Sequence, residues 1–250
     1  MTHRFKRQIY YYALTVSLLM SVLLGIVPVA LAKYRPPAKP SAPKGTRPNI
    51  TRGGNCDRSA TIGLTTLVPL SHVGQTSSQH PSFFWFMPER QAYPLQFRLF
   101  TSNGQPLYRT QLQSQAGIMQ FSLPQSQPGL AIGQTYRWQV VLVCDPQAPS
   151  RNVVAAAEIE VVKPDAPLQT QLAAAATPQQ QSNLYAETGL WYDAIAAALK
   201  ASETVQNQSP VLDLLGSLAS SEAQLLQEWS DRLKQIEAIE RQRQEPQPRP

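Results

Sequence analysis

The residues able to do chemistry are few, and their spacing does not converge. The chain has 250 residues and 3 histidines. Two of them, His72 and His80, share the stretch Ser71 to Pro81, among Gly, Ser and Gln. A metal site there needs further ligands close by, yet neither Cys nor Asp nor Glu occurs between Ser59 and Pro88. Both therefore read as solvated loop histidines. No Gly-x-Ser-x-Gly, His-Glu-x-x-His or P-loop pattern occurs, and Arg52-Gly53-Gly54 is too short to cradle a phosphate. Asp57 and Asp145 each follow a cysteine. They frame an ion site if the cysteines meet, or else cap turns. Glu158 and Glu160 alternate onto the outer face of one strand. No catalytic, cofactor-binding or metal residue is assigned. The expectation is a non-enzymatic protein without a cofactor.

Cys56 and Cys144 are the only cysteines. An even count in an exported chain suggests one disulfide; a pair of free thiols is the alternative. Export is itself a reading of the N-terminus. Arg4, Lys6 and Arg7 precede an uncharged apolar run, Ile9 to Val29, and Ala30-Leu31-Ala32 offers a cleavage site. Residues 1–32 thus read as a signal peptide, with an uncleaved membrane anchor as the alternative, since the run is long enough to cross a bilayer. Without them 19 basic and 16 acidic residues remain, a net +3 that is too weak to argue for nucleic acid. Residues 33–49 carry basic residues and prolines but no acid, the pattern of a solvated linker with some attraction for anionic surfaces.

The elements behind these residues divide in two. Between 50 and 163, seven short apolar runs are separated by turn residues: 61–68, 82–87, 95–100, 107–112, 118–123, 135–144 and 152–162. Such spacing signals an antiparallel β-sandwich. Tyr136, Trp138, Val140, Leu142 and Cys144 alternate onto one face, and Val141 and Val143 make the end of that strand apolar on both faces, as in the middle of a sheet. Phe83 to Met87, with Trp85 at its centre, reads as a doubly covered strand or as an exposed binding patch. Asn103-Gly104 suggests a two-residue type I′ hairpin. Beyond Pro164 the period becomes helical. Asp165, Thr177-Pro178 and Ser209-Pro210 look like helix starts, Gly189 a helix end, and 222–243 a final helix with Leu225, Leu226, Trp229, Leu233 and Ile236 on one stripe. Residues 164–243 form the helical region, and 244–250 a disordered tail.

Several of these blocks carry resemblances. Trp85 in the second run and Tyr136 opening the sixth resemble fibronectin type III and other immunoglobulin-like modules, which implies that Tyr136 bonds back to the preceding turn. Tyr185 to Ala194, with Gly189 at a tight turn, Trp191 after it and Ala194 and Ala201 at close crossings, resembles one tetratricopeptide hairpin, although the Trp-Leu-Gly signature is absent. Arg52 to Cys56, Leu64 to Pro69, Pro81 to Phe86, Leu107 to Thr110, Tyr136 to Trp138, Val143 to Pro146 and Gly189 to Asp193, in that order, resemble a domain of unknown function from secreted cyanobacterial proteins. That resemblance implies an exported periplasmic or cell-surface protein and carries no catalytic residue. The expectation is an α+β chain: a seven-stranded immunoglobulin-like sandwich followed by helices, acting as a protein-interaction module. A carbohydrate or cell-wall module using Tyr93, Tyr108 or Trp191 and the basic linker is the alternative. No nucleic acid is expected, and membrane contact only through residues 9–29 if they remain.

Overall fold

Alternation places the strands. The structure, a computed structural model, describes residues 33–50, 56, 62–88, 91–204 and 210–244. Residues 1–32, Arg52 to Asn55, Asp57 and the tail from 245 lie outside them. Strands β4 (Ser82–Met87), β5 (Pro94–Thr101), β6 (Pro106–Gln113), β7 (Gly117–Ser122), β8 (Thr135–Leu142) and β9 (Val153–Val161) fall on the periodic runs. Three short strands join them: β1 (Arg47–Ile50), β2 (Thr65–Thr66) and β3 (Gly74–Thr76). One sheet has the order β1-β9-β8-β5-β6, with β3 running parallel beside the far half of β9. The other has the order β2-β4-β7.

This corrects the seven-strand expectation to nine strands among the described residues, in sheets of six and three. The run 61–68 keeps only two strand residues. β1 and β3 lie where a linker and a loop were expected. Both cover the open side of β9, which would otherwise present unpaired backbone groups.

β4 is buried on both faces, so the core reading of Phe83 to Met87 holds. Phe83 packs on Phe97 and Trp138 in the six-stranded sheet, and Phe86 lies beneath Arg243 of the last helix. The β5–β6 connection is not type I′. Only Gly104, at φ +84°, is left-handed; its N–H meets Thr101 O at 3.0 Å, and Thr101 N–H meets Gln105 O at 2.9 Å. That is a three-residue loop ending in a left-handed glycine.

Five helices follow: α1 (Ala166–Ala174), α2 (Pro178–Glu187), α3 (Trp191–Thr204), α4 (Pro210–Glu222) and α5 (Gln227–Gln244). Asp165 caps α1 through Leu168 N–H, and Thr177 with Gln180 forms a complete capping box on α2. Gly189, at φ +83°, ends α2. The last helix starts later than expected. A turn at Ala223–Leu225 throws Leu225 off the apolar stripe, leaving it 74% exposed, while Trp229, Leu233 and Ile236 stay buried. The described residues form one compact unit, and the sandwich and helices share one core.

Residues 33–46 are a strap rather than a solvated spacer. Tyr34 is only 2% exposed and meets Trp191 edge-on. Its N–H donates to Ser217 Oγ at 2.7 Å, Arg35 N–H to Ala186 O at 3.0 Å, and Val73 N–H to Ser41 O at 2.9 Å. An aromatic ring to bury and an extended backbone to satisfy outweigh the polar composition.

Candidate functional site

The expected structural residues hold the sheets and helices together. Cys56 and Cys144 form a disulfide. Tyr136 is buried and its hydroxyl accepts from Ala131 N–H at 2.9 Å, a bond back into the preceding turn. Trp138 Nε1 donates to Tyr192 on α3 at 2.9 Å, and the Tyr192 hydroxyl donates to Glu158 O at 2.9 Å. Trp85 is fully buried, and its Nε1 has no hydrogen-bond partner. Ala194 is buried and its carbonyl accepts from Ser182 Oγ at 3.0 Å. Gly189 does more than turn the chain. A Cβ there would lie 2.8 Å from Pro37 N, so the strap also needs it to be glycine. Asp145 caps a turn, accepting from Gln147 N–H at 2.9 Å and pairing with Arg151.

His72 is not solvated. It is 1% exposed and sits in a polar chain that the sequence did not assemble. Ser71 Oγ lies 2.7 Å from Glu222 Oε1 and 2.8 Å from His72 Nδ1. The carboxylate can only accept, so the serine proton goes to Glu222 and His72 Nδ1–H donates to the serine. His72 Nε2 is then a bare acceptor for the Tyr34 hydroxyl at 2.6 Å. Burial drives the Tyr34 hydroxyl pKa well above its usual value and holds His72 down at about 4. Glu222 also accepts from Leu70 and Ser71 N–H at 3.2 and 2.9 Å. Serine, histidine and a carboxylate meet here, but with the direction of donation opposite to that of a hydrolase triad. The serine proton is committed to the acid rather than to the histidine. The chain ties the strap, the β2–β3 loop and α4 together.

A second buried carboxylate pins the helices to the sandwich. Asp193 accepts from Ser77 N–H at 2.8 Å and Ser77 Oγ at 3.2 Å. Burial raises its pKa to about 6 despite these bonds, which pull the other way. Tyr185 beside it is pushed up, first by burial and then by the Asp193 charge. His80 is half-buried and meets Gln127 O through Nε2 at 2.9 Å, which makes that nitrogen the donor. A polar cleft of about 260 Å³ opens between His80, Tyr185 and Asp193.

Another opening lies at the α4–α5 turn. A groove of about 410 Å³ is lined by Leu70, Leu225, Leu226 and Trp229, with Glu228 and Arg232 also on its walls. Trp229 is buried, and its Nε1 makes no hydrogen bond. The aromatic residues considered for sugar binding do not form a platform. Trp191 is completely buried with Nε1 donating to Leu67 O at 2.8 Å, and Tyr108 stacks on Phe121. Tyr93 is half-buried at the β5 entrance, its N–H donating to Ser114 Oγ. Among the described residues no group of three His, Cys, Asp or Glu is placed to hold a metal ion, and no helix is long and apolar enough to cross a membrane.

A search of curated proteins finds no match for the chain. A family model does match, over residues 44–239, a span that begins in the strap and ends in α5. With most of its length covered, the chain belongs to the family described as Domain of Unknown Function (DUF928).

Proposed function

We propose that this chain is an exported, non-enzymatic protein-interaction module of the periplasm or cell surface. The observation that carries the reading is the groove at the α4–α5 turn. Leu225 projects beside Leu226 and Trp229 with 74% of its surface exposed, although the same stretch could have continued a buried stripe. A leucine held out beside a tryptophan-floored groove suits an apolar side chain of a partner, with Glu228 and Arg232 to set its orientation. The Cys56–Cys144 disulfide supports an oxidising compartment, and with it the reading of residues 1–32 as an export signal. Strand pairing β2-β4-β7 against β9-β8-β5-β6, with the Tyr136 bond, supports a fibronectin-type sandwich carrying β1 and β3 as additions.

The test is a photo-crosslinking amino acid placed at position 225 of the full chain in its native cells. The expected result is a discrete protein adduct that disappears when Trp229 is changed to Ala. Adducts with glycan or lipid alone, or no adduct, overturn the proposal.

A further inference from the structure

The outer face of the six-stranded sheet carries four arginines, and its two acids, Glu158 and Glu160, bond to groups other than these arginines. Register places Arg47 opposite Ala156, Ala156 opposite Gln139, Gln139 opposite Arg98, and Arg98 opposite Arg109. Directly opposed residues share a face, so this is one row across five strands, about 19 Å from end to end. Glu158, Arg137 and Phe100 form the next row, with the guanidinium 5.4 Å above the ring. Gln96 and Gln111 form the row on the other side. The helices meet the sheets at β3 and β4, and Arg47, Arg109 and Gln111 are exposed.

Two like charges facing each other across strands destabilise a sheet. Arg98 and Arg109 do so, and among the described residues no carboxylate forms an ion pair with either, nor with Arg47 or Arg137. The nearby acids are engaged elsewhere. Glu158, the cross-strand neighbour of Arg137, accepts from Lys44 N–H at 2.7 Å. Glu160 accepts from Ser41 Oγ and Gln75 Nε2 at 3.1 and 3.0 Å. The Nε groups of Arg98 and Arg137 are buried without a hydrogen-bond partner.

We propose that this face binds an acidic polysaccharide. Guanidinium groups pair with carboxylate or sulfate in two-pronged fashion. Gln96 Oε1 already accepts from Arg98 at 2.7 Å, and the interleaved carboxamides of Gln111 and Gln139 offer both donors and acceptors to sugar hydroxyls. A single-stranded nucleic acid needs open aromatic faces for its bases, whereas the Phe100 ring lies under Arg137. A membrane surface needs an apolar face to insert, and among the described residues Leu107, at the irregularity in the β5–β6 pairing, is the one large exposed apolar side chain on strands β5, β6, β8 and β9.

The test measures binding of the full chain to polygalacturonate, dextran sulfate, neutral dextran, a single-stranded DNA oligonucleotide and phosphatidylglycerol vesicles at low ionic strength. The expected result is binding to polygalacturonate or dextran sulfate, the better of the two naming carboxylate or sulfate, and none to neutral dextran. The double variant Arg98→Gln/Arg109→Gln should weaken it by about tenfold or more. The charge-matched Lys200→Gln/Lys234→Gln should leave it unchanged. Removing a like-charge pair should not unfold the sheet, and a thermal melt of each variant verifies this. No binding to either acidic polymer, equal loss in both double variants, or tighter binding to DNA or vesicles overturns the proposal.

Discussion

Two buried groups should oppose each other as the solution is acidified. His72 is held at about 4 by burial, below its ordinary 6.5. The unfolded chain therefore takes up this proton first, and the stability tied to neutral His72 is complete above pH 6.5 and lost as pH falls toward 4. Asp193 has the reverse sign. Its folded value, about 6, lies above the ordinary 3.8, so its burial is penalised above pH 6 and the penalty is relieved as pH falls toward 3.8. Between pH 7.5 and 4.5 linkage gives a loss of about 2–3 kcal/mol from His72 and a gain of about 2 kcal/mol from Asp193. In the unaltered protein the two act in opposite directions.

Single substitutions separate them. With His72→Gln the response to acidification should move toward folding by about 2–3 kcal/mol relative to the parent, because the His72 loss is gone. With Asp193→Asn, which keeps an acceptor for Ser77 N–H, the response should move against folding by about 2 kcal/mol relative to the parent. Urea unfolding followed by tryptophan fluorescence at the two pH values measures both, and groups common to all three proteins drop out of the comparison. If both variants keep the parent's pH response, burial does not set these two titrations and the reasoning fails.

Tyr34→Phe should destabilise the fold by about 1–3 kcal/mol by leaving His72 Nε2 buried without a donor, and Tyr34→Ala by about 3–5 kcal/mol. Thermal melts rank the two. Gly189→Ala should destabilise by more than about 1 kcal/mol, because the left-handed backbone and the close approach of Pro37 both oppose a Cβ; an unchanged urea midpoint would refute that. Reducing the Cys56–Cys144 bond, which spans 88 residues of sequence, should lower stability by about 4–5 kcal/mol in the chain-entropy model, read as the urea midpoint with and without reductant.

What could be read from the sequence depended on where each residue finds its partner. Strands β5 to β9 follow local alternation and β4 a continuous apolar run, and the caps at Asp165 and Thr177 are local chemistry, so all were legible. β3 reads Gly-Gln-Thr with no apolar period and exists because β9 offers it a parallel edge. Tyr34 stands among prolines and lysines, and its partners His72, Trp191 and Ser217 are far away in sequence. Glu222 read as the start of a charged helix, whereas it ends α4 and accepts from a loop 151 residues earlier. The arginine row exists only through register: Arg47, Arg98 and Arg109 sit on three separate strands, and no window of sequence contains all of them.

The strap also fixes an order of events. Tyr34 is met early as the chain is made, yet its backbone bond to Ser217 spans 183 residues. The hydroxyl's chain through His72 ends on Glu222, which lies later still. The first part of the strap to be synthesised is thus among the last to lock. Contacts of such sequence separation form slowly, after their loop-closure entropy has been overcome. Until α4 is in place, the β-sandwich must hold its own shape with the seat of Tyr34 empty, beside a strap of prolines and lysines that has little tendency to collapse elsewhere.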